Sequence, residues 1–180
     1  MVEKKKLAIQ SNGRPDNFQT PKAAVDILIP YLKKDWQIWE CAWGNGNLYR
    51  FLEEAGFKVL GTDINGKNGH RLDFLIDKMS FHYDCIITNP PYSLKDKFLA
   101  RAYELNTPFA FLLPLTALEG KRRGELYHKF GIELIIPNKR FNFETPSGKG
   151  SGAWFQTAWF CWKLNLPKQL NFIGKQREVK

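Results

Sequence analysis

Residues 84–92 read DCIITNPPY, and this stretch decides the fold. Its apolar, β-branched beginning predicts a buried strand. Two consecutive prolines, Pro90 and Pro91, cannot donate hydrogen bonds to a neighbouring strand, so the strand has to end before them. Asn89 and Tyr92 therefore stand at the carboxyl end of a predicted parallel strand. In open α/β sheets, ligands bind at this edge.

The tetrapeptide Asn89-Pro90-Pro91-Tyr92 carries groups that suit an sp² amino group whose lone pair is delocalised into a ring. The side-chain oxygen of Asn89 and the carbonyl of Pro90 can both accept hydrogen bonds from such an –NH₂ group. Tyr92 offers an aromatic face on which a planar substrate can stack. We take all four as candidate catalytic residues. A polar strand end followed by a Pro-Pro turn is the alternative interpretation.

Strands and helices alternate along the rest of the chain. The patterns predict strands at 36–41, 57–64, 71–76, 84–88, 108–113, 132–136 and 154–164, and helices at 21–32, 48–55, 93–103 and 118–130. Such alternation predicts an α/β fold with a mostly parallel sheet. The last two strands are joined by a loop at 144–152 without a helix, so we expect them to be antiparallel. The chain has 180 residues and no internal repeat, which predicts a single domain over 1–180.

Positive charge dominates the composition, with 27 Lys and Arg against 18 Asp and Glu, a net charge of +9 and a pI near 9.5. A polyanionic partner such as nucleic acid is the expected consequence, and a solvated basic surface without a partner is the alternative. We expect a flexible basic arm at 1–17 and a basic tail at 165–180. The candidate phosphate-binding residues are Lys121, Arg122, Arg123, Lys139, Arg140 and Lys149.

Cysteine usage gives no sign of a metal site. Cys41, Cys85 and Cys161 lie far apart in apolar runs, and the chain has no CxxC or His-x-x-x-His spacing. No metal ligands are therefore predicted. Buried free thiols fit a reducing, cytoplasmic setting. The charged amino terminus lacks a signal-peptide pattern, and no apolar run reaches membrane-spanning length.

A glycine-containing turn with the sequence ECAWGNGNL follows the first predicted strand at 40–48. Gly44 and Gly46 let a ligand approach the backbone, where the next helix begins with partial positive charge. The spacing is neither GxGxxG nor a P-loop, so a pyrophosphate is not indicated. Asp63 ends the next strand, 19 residues after Gly44, where an acid suits a ribose diol. A plain tight turn and a surface acid are the alternatives.

Two further pairs of residues fit a nucleoside ligand. Asp73 can accept a hydrogen bond from an exocyclic amine and Phe74 can flank a purine ring, although a loop acid beside a core phenylalanine is the alternative. Residues 18–21, Phe-Gln-Thr-Pro, precede the first helix, and a simple helix start explains Thr20 and Pro21 equally well. Because the glycine turn, two acids and the tetrapeptide appear in this order after successive strands, together they define a nucleoside pocket beside an amine-accepting amide.

On these motifs the sequence resembles the S-adenosylmethionine-dependent amino-methyltransferases, in particular the N6-adenine DNA methyltransferases of bacteria and phages. The resemblance covers most of residues 16–164, and the tetrapeptide matches the catalytic motif in full. It implies S-adenosyl-L-methionine as cofactor, DNA as partner and a Rossmann-like seven-stranded sheet with an antiparallel last pair and helices on both faces. The cofactor-binding residues that it implies are Phe18, Thr20, Pro21, Glu40, Ala42, Gly44, Gly46, Asp63, Ile64, Asp73, Phe74 and Asn89.

The implied reaction is direct methyl transfer to N6 of an adenine that has left its stack, with Tyr92 and Phe143 stacking on the base. Trp43 departs from the family, which has a small residue or cysteine there, and it leaves open whether the cofactor pocket is narrowed. No separate target-recognition domain is expected, so strict DNA site specificity is not expected either. A homodimer or a specificity partner stays open.

Other substrates use the same chemistry. Adenine in RNA is the first alternative, and a missing recognition domain favours RNA or single strands. Cytosine N4 is a second, although Asn89 rather than serine before the prolines argues against it. Protein-glutamine methyltransferases share the tetrapeptide but resemble this chain less. A non-catalytic module that binds nucleic acid is the alternative from a different functional class.

Overall fold

The structure, a computed structural model, describes residues 18–66, 70–145, 148–149 and 155–174. The arm predicted at 1–17 and the end of the predicted tail, 175–180, lie outside the described residues. So does Trp154, where the seventh predicted strand starts.

Within the described residues, eight strands form one sheet, and two short strands form a separate hairpin. The strands are β1 (Gln37–Glu40), β2 (Lys58–Asp63), β3 (His70–Arg71), β4 (Cys85–Thr88), β5 (Phe109–Pro114), β6 (Glu133–Pro137), β7 (Glu144–Thr145), β8 (Gly148–Lys149), β9 (Thr157–Trp162) and β10 (Leu170–Ile173). The order in the sheet is β10-β6-β9-β5-β4-β1-β2-β3, and β7 pairs with β8. β9 runs antiparallel to β5 and β6, while the remaining neighbours in the sheet are parallel. The predicted α/β class with an antiparallel β6–β9 pair is confirmed.

Helices cover both faces of the sheet, as predicted. The described part of the chain has four α-helices, α1 (Lys22–Leu28), α2 (Asn47–Glu54), α3 (Lys95–Leu105) and α4 (Lys121–Phe130). Side chains alternate between the faces of a strand, so Ile38 of β1 packs in the core under α1 and α2, whereas Trp39 packs in the core under α3. Leu52 of α2 and Leu99 of α3 are fully buried on these two sides. Each contributes on the order of 2 kcal/mol of hydrophobic stabilisation.

The predicted basic tail at 165–180 contains β10, so the sheet has eight strands rather than seven. The chain reaches this edge by crossing the start of β6. There, the carboxylate of Glu133 accepts hydrogen bonds from the N–H groups of Leu164 at 3.2 Å and Leu166 at 2.8 Å. In β10 the buried amide of Asn171 donates to the backbone of β6 at 3.2 Å. These polar contacts between residues far apart in the chain, rather than a hydrophobic pattern, fix the position of β10 beside β6.

The third predicted strand, 71–76, is shorter in the structure, where β3 has two residues. Asp73 ends the extended run. Its carboxylate accepts a hydrogen bond from the N–H of Leu75 at 2.9 Å, and its carbonyl accepts one from the N–H of Asp77 at 2.9 Å. Local bonds of this kind compete with strand pairing. The hairpin of β7 and β8 lies within the predicted loop at 144–152.

Candidate active site

The carboxyl ends of β4, β1 and β2 lie side by side, because these parallel strands are neighbours in the sheet. The tetrapeptide at 89–92 follows β4, the glycine turn follows β1, and Asp63 is the last residue of β2. The fold therefore brings three of the predicted features to one edge. This edge is the position at which open parallel sheets bind their ligands.

Asn89 is held by the segment that precedes α1. Its Nδ2 donates a hydrogen bond to the carbonyl of Phe18 at 2.7 Å. A carbonyl oxygen only accepts hydrogen bonds, so this contact assigns the orientation of the amide. Oδ1 is buried and has no hydrogen-bond partner among the residues that the structure describes. Because an unpaired buried amide oxygen costs roughly 1–3 kcal/mol, Oδ1 is suited to accept from a donor on a ligand.

Four aromatic rings meet beside the tetrapeptide. Tyr92 stacks on Phe18, with ring centroids 5.7 Å apart and planes 22° apart. Phe155 lies edge-on to both rings, with centroids at 5.6 Å, and Phe143 lies edge-on to Phe18 at 5.9 Å. We define these four residues as the aromatic cluster. Phe155 was not among the predicted residues, because nothing local in the sequence joins it to Phe18 or Tyr92.

Glu40 is buried at the end of β1, with 1% of its surface exposed. Its Oε1 accepts hydrogen bonds from the hydroxyl of Thr88 at 2.5 Å and from the N–H of Ala42 at 3.1 Å. Burial raises the pKa of the Glu40 carboxyl to about 8, although both hydrogen bonds lower it. The carboxyl is therefore mostly protonated at neutral pH. Through Thr88, Glu40 joins the glycine turn to the strand that leads to Asn89.

Asp63 is oriented by the backbone around it. One carboxylate oxygen accepts from the N–H of Gly44 at 3.1 Å, and the other accepts from the N–H of Asn65 at 2.8 Å. A carboxylate has about four acceptor positions, so beyond these two bonds with described residues it can accept from the hydroxyls of a ribose. Ile64 beside it is 48% exposed and offers an apolar surface. Gly44 has a φ of 56°, which glycine adopts without strain.

Trp43, the residue that departs from the family pattern, packs against its own glycine turn, where an added Cβ on Gly46 would come within 2.4 Å of the indole nitrogen. Its ring stacks on Tyr49 of α2, with centroids 4.2 Å apart and planes 13° apart. It also lies against Gly61 of β2, where an added Cβ would come within 1.9 Å of the indole ring. The volume of the ring is therefore accommodated between β2 and α2, and the absence of a side chain at Gly61 makes the space.

Phe74 requires a correction, because the structure places its ring in the core. Phe74 is 2% exposed and stacks on Phe98 of α3, with centroids 4.8 Å apart. It also contacts Trp39 of β1 at 5.2 Å. Packing among these rings leaves no face of Phe74 open to a purine. Asp73 is partly exposed, and one of its oxygens is used by Leu75.

The segment before α1 borders an open cavity. Thr20 is buried at 3% exposure, and Pro21 occupies the N-cap position rather than the predicted first helical position. The cavity has a volume of about 450 Å³ and lies between this segment and the start of α2. It is lined by Gln19, Thr20, Pro21, Lys22, Asn47, Arg50, Phe51 and Asn142.

The candidate phosphate-binding residues differ in their exposure and in their contacts. Lys121, Arg122, Lys139 and Arg140 are exposed. Arg123 is engaged, because its guanidinium forms an ion pair with Asp96 and also donates to the carbonyl oxygens of Ala117 and Glu119. The side chain of Lys149 lies outside the described residues. The exposed residues near the start of α4 are therefore the better candidates for contact with phosphates.

No group of three or more His, Cys, Asp or Glu side chains able to hold a metal ion occurs in the part of the chain that the structure describes. Cys41, Cys85 and Cys161 are free and buried, and burial raises the pKa of each thiol. Within 18–66, 70–145, 148–149 and 155–174, no helix is long and apolar enough to cross a membrane.

No protein-family model and no curated protein matches the sequence. Solved structures do match. A candidate RNA methyltransferase, PH1948 from Pyrococcus horikoshii, is 15% identical with a TM-score of 0.54, over 80% of this chain and 84% of that one. A dimethyladenosine transferase from Plasmodium falciparum is 12% identical with a TM-score of 0.51, over 80% of this chain and 62% of that one.

A modification subunit of a candidate type I restriction enzyme from Vibrio vulnificus is 11% identical, with a TM-score of 0.51. The match covers 85% of this chain and 45% of the subunit, so this chain spans about half of its length. At such identities the similarity concerns the fold alone. The methyltransferase fold predicted from the sequence is confirmed.

Proposed function

We propose that the protein transfers a methyl group from S-adenosylmethionine to the exocyclic N6 amino group of adenine in DNA. The observation that carries the proposal is the amide of Asn89. Its Oδ1 is buried without a hydrogen-bond partner among the described residues and lies at the end of β4, one strand away from the glycine turn. An –NH₂ group on a flat ring supplies the missing donor.

The proposed chemistry needs positioning more than acid–base catalysis. Asn89 Oδ1 and the carbonyl of Pro90 accept both hydrogens of the amine, so that its lone pair turns out of the ring plane. S-adenosylmethionine is the expected cofactor, and it supplies an electrophilic methyl group on a sulfonium. A nitrogen–carbon bond forms as the sulfur–carbon bond breaks, and the surplus proton of the amine goes to solvent. Holding the reacting atoms in line at short range is an effect that can lower a barrier by several kcal/mol.

The residues at the ends of β1 and β2 fit an adenosyl group. Asp63 can accept further hydrogen bonds besides those from Gly44 and Asn65, which suits a ribose diol. Ile64 is exposed beside it and can cover one face of a purine. Glu40 is close to the same turn, and a cationic ligand would favour its ionised form. Phe74 is left out of the proposed cofactor site, because it is a core residue.

The substrate base is proposed to stack on the partly exposed rings of the aromatic cluster, Tyr92 and Phe155, because the predicted Phe143 is 4% exposed and belongs to the core. In a DNA duplex the N6 amino group of adenine is paired and stacked, out of reach of the buried amide of Asn89. The adenine therefore has to leave its stack, at a cost of a few kcal/mol. Stacking on aromatic side chains stabilises the bound base by roughly 1–3 kcal/mol. Tyr92 follows Asn89 by three positions in the tetrapeptide, and Phe155 adds a ring that the motif alone did not include.

Phosphates of the nucleic acid are proposed to contact Lys121 and Arg122 at the start of α4, together with Lys139 and Arg140. These side chains are exposed, and the helix begins shortly after β5, whose carboxyl end lies at the same sheet edge as the tetrapeptide. Such contacts are largely independent of sequence. They fit the excess of nine positive charges.

The test is transfer of labelled methyl from S-adenosylmethionine to duplex DNA, single-stranded DNA and bulk RNA, followed by digestion and identification of the modified base. We expect N6-methyladenine in DNA, and the ratio of duplex to single strand measures how far the protein supports base flipping. Label in RNA alone would replace the proposed substrate by adenine in RNA. Cofactor binding without label in any nucleic acid would contradict the proposal and favour a protein substrate.

A further inference from the structure

We propose that the backbone carbonyl of Phe18 is a positioning group that fixes the amide of Asn89 with Oδ1 toward the substrate. This inference rests on the proposed function. It gives the backbone of Phe18 a role separate from that of its ring, which belongs to the aromatic cluster. The contact joins residues that are 71 positions apart, and the donor–acceptor distance is 2.7 Å.

Phe18 is held firmly enough to serve this purpose. Its ring stacks on Tyr92 and meets Phe143 and Phe155 edge-on, so the aromatic cluster surrounds it on several sides. Thr20, two residues later, is buried at 3% exposure where the chain enters α1. The carbonyl therefore sits between two anchored points of the backbone.

The carbonyl of Phe18 distinguishes asparagine from aspartate at position 89, although the two side chains have the same shape. Asparagine presents N–H to it and keeps an oxygen for the amine. Aspartate would present an oxygen, and two acceptors in contact repel each other unless one carries a proton. The Asn89→Asp variant can restore the arrangement only when its carboxyl is protonated, because the O–H then donates to the Phe18 carbonyl. The remaining oxygen would then face the substrate amine.

Charged and titratable groups around position 89 are few among the described residues. Glu40 on β1 is joined to β4 through Thr88, and Asp63 ends the adjacent β2. Lys95 follows the tetrapeptide and donates to the carbonyl of Tyr92 at 3.2 Å. The segment at 18–21 that supplies the carbonyl has no charged side chain. Asp63 opposes ionisation of a carboxyl at position 89, Glu40 adds to this only where it ionises, above its pKa of about 8, and the lysine favours ionisation.

The experiment compares Asn89→Asp with the wild-type protein from pH 5.5 to 9. At high pH we expect methyl transfer by the variant to be at least about tenfold slower than the wild type, the effect of losing one buried hydrogen bond. The deficit should shrink as the pH falls and the new carboxyl takes up a proton. If the ratio of the transfer rates of Asn89→Asp and the wild-type protein does not change with pH, the inference is wrong.

A second readout does not depend on activity. Titration of the new carboxyl by NMR should give a pKa well above the ordinary Asp value of about 3.9. The variant should also lose stability relative to the wild type as the pH rises through that pKa, because a raised folded pKa favours the protonated form. The control is Asn106→Asp at the end of α3, which makes the same charge change beside Lys163, so the pKa of its new carboxyl should not rise above the ordinary Asp value.

The two proposals fail in different ways. If the wild-type protein methylates no nucleic acid but the carboxyl of Asn89→Asp titrates high, the proposed function fails and the contact with Phe18 stands. If the wild-type protein is active and that carboxyl titrates at an ordinary pH, the positioning role of Phe18 is wrong and the proposed function stands.

Discussion

Asn89 and Glu40 each bury polar atoms at the strand edge. Asn89 has one amide oxygen without a partner among the described residues, and Glu40 has a carboxyl whose described bonds all fall on one oxygen. Both arrangements lower stability. Perturbed groups of this kind concentrate at functional sites, so at the scale of residues the strand edge is the candidate binding site.

Glu40→Gln should make stability less dependent on pH. The pKa of Glu40 is about 8 in the folded protein against 4.5 for the ordinary group. Between these values the folded protein keeps a proton that the unfolded chain has released, so stability falls as the pH rises, by about 1.4 kcal/mol per unit. Glutamine keeps the acceptor for Thr88 and Ala42 without titrating. Urea unfolding should show the variant equal to the wild type near pH 5 and at least about 1 kcal/mol more stable at pH 9.

Glu125→Gln is the matched control, because Glu125 is exposed on α4. Its stability should follow that of the wild type at both pH values. An equal difference between Glu40→Gln and the wild type at pH 5 and pH 9 would show that Glu40 is ionised throughout this range.

Gly61→Ala should destabilise the protein through Trp43. The new Cβ would lie 1.9 Å from the indole ring, so the ring or β2 has to move. Overpacking of this kind costs typically about 1–3 kcal/mol. Adding Trp43→Leu to the same chain should recover part of the loss, and a double-mutant cycle measures the coupling between the two positions.

Gly124→Ala makes the same chemical change where nothing lies within 4 Å of the new Cβ. Gly124 is inside α4, so alanine should stabilise the protein by about 0.5–1 kcal/mol. Opposite signs for the two glycines are expected. A harmless Gly61→Ala would mean that Trp43 is not packed against β2.

At the scale of elements, the sequence predicts what local patterns determine. The apolar run before the tetrapeptide predicts β4, and the glycine turn predicts the junction of β1 and α2. β10 was missed, because Leu170 and Phe172 are exposed and its register depends on the distant β6. Phe74 was misplaced for a related reason. An Asp-Phe pair in the sequence does not reveal whether the ring will pack in the core or face a ligand.

The start of α4 should carry part of the affinity for nucleic acid. Replacing both Lys121 and Arg122 by alanine should weaken binding to any DNA sequence alike, because contacts with phosphate carry no base information. The slope of log affinity against log salt should fall by about 1 for each lost contact, so by about 2 in total. Binding of a fluorescent oligonucleotide over a series of salt concentrations measures this slope.

Lys129→Ala removes a charge from the other end of α4, where the ammonium lies 4.9 Å from the ring of Phe130. It should leave the salt slope unchanged. If Lys129→Ala lowers the slope as much as a substitution at the start of the helix, the binding is diffuse and α4 does not form a specific contact surface.

At the scale of the whole molecule, the sheet order is what assembles the site. β4, β1 and β2 are neighbours in the sheet, although the chain visits them in a different order. The sequence predicted this edge through strand order and the family resemblance. It did not predict the contact of Phe18 with Asn89 or the place of Phe155, because both depend on packing between residues that are far apart in the chain.

The measurement that tests the central claim most directly is single-turnover methyl transfer to adenine in DNA by Asn89→Ala, with S-adenosylmethionine at saturation and its binding measured alongside. Cofactor binding should be retained. The transfer rate should fall by about 100-fold or more, as expected when the reacting amine loses its alignment. Turnover within a few fold of the wild type would show that Asn89 does not hold the amine, and the account of this site would be wrong.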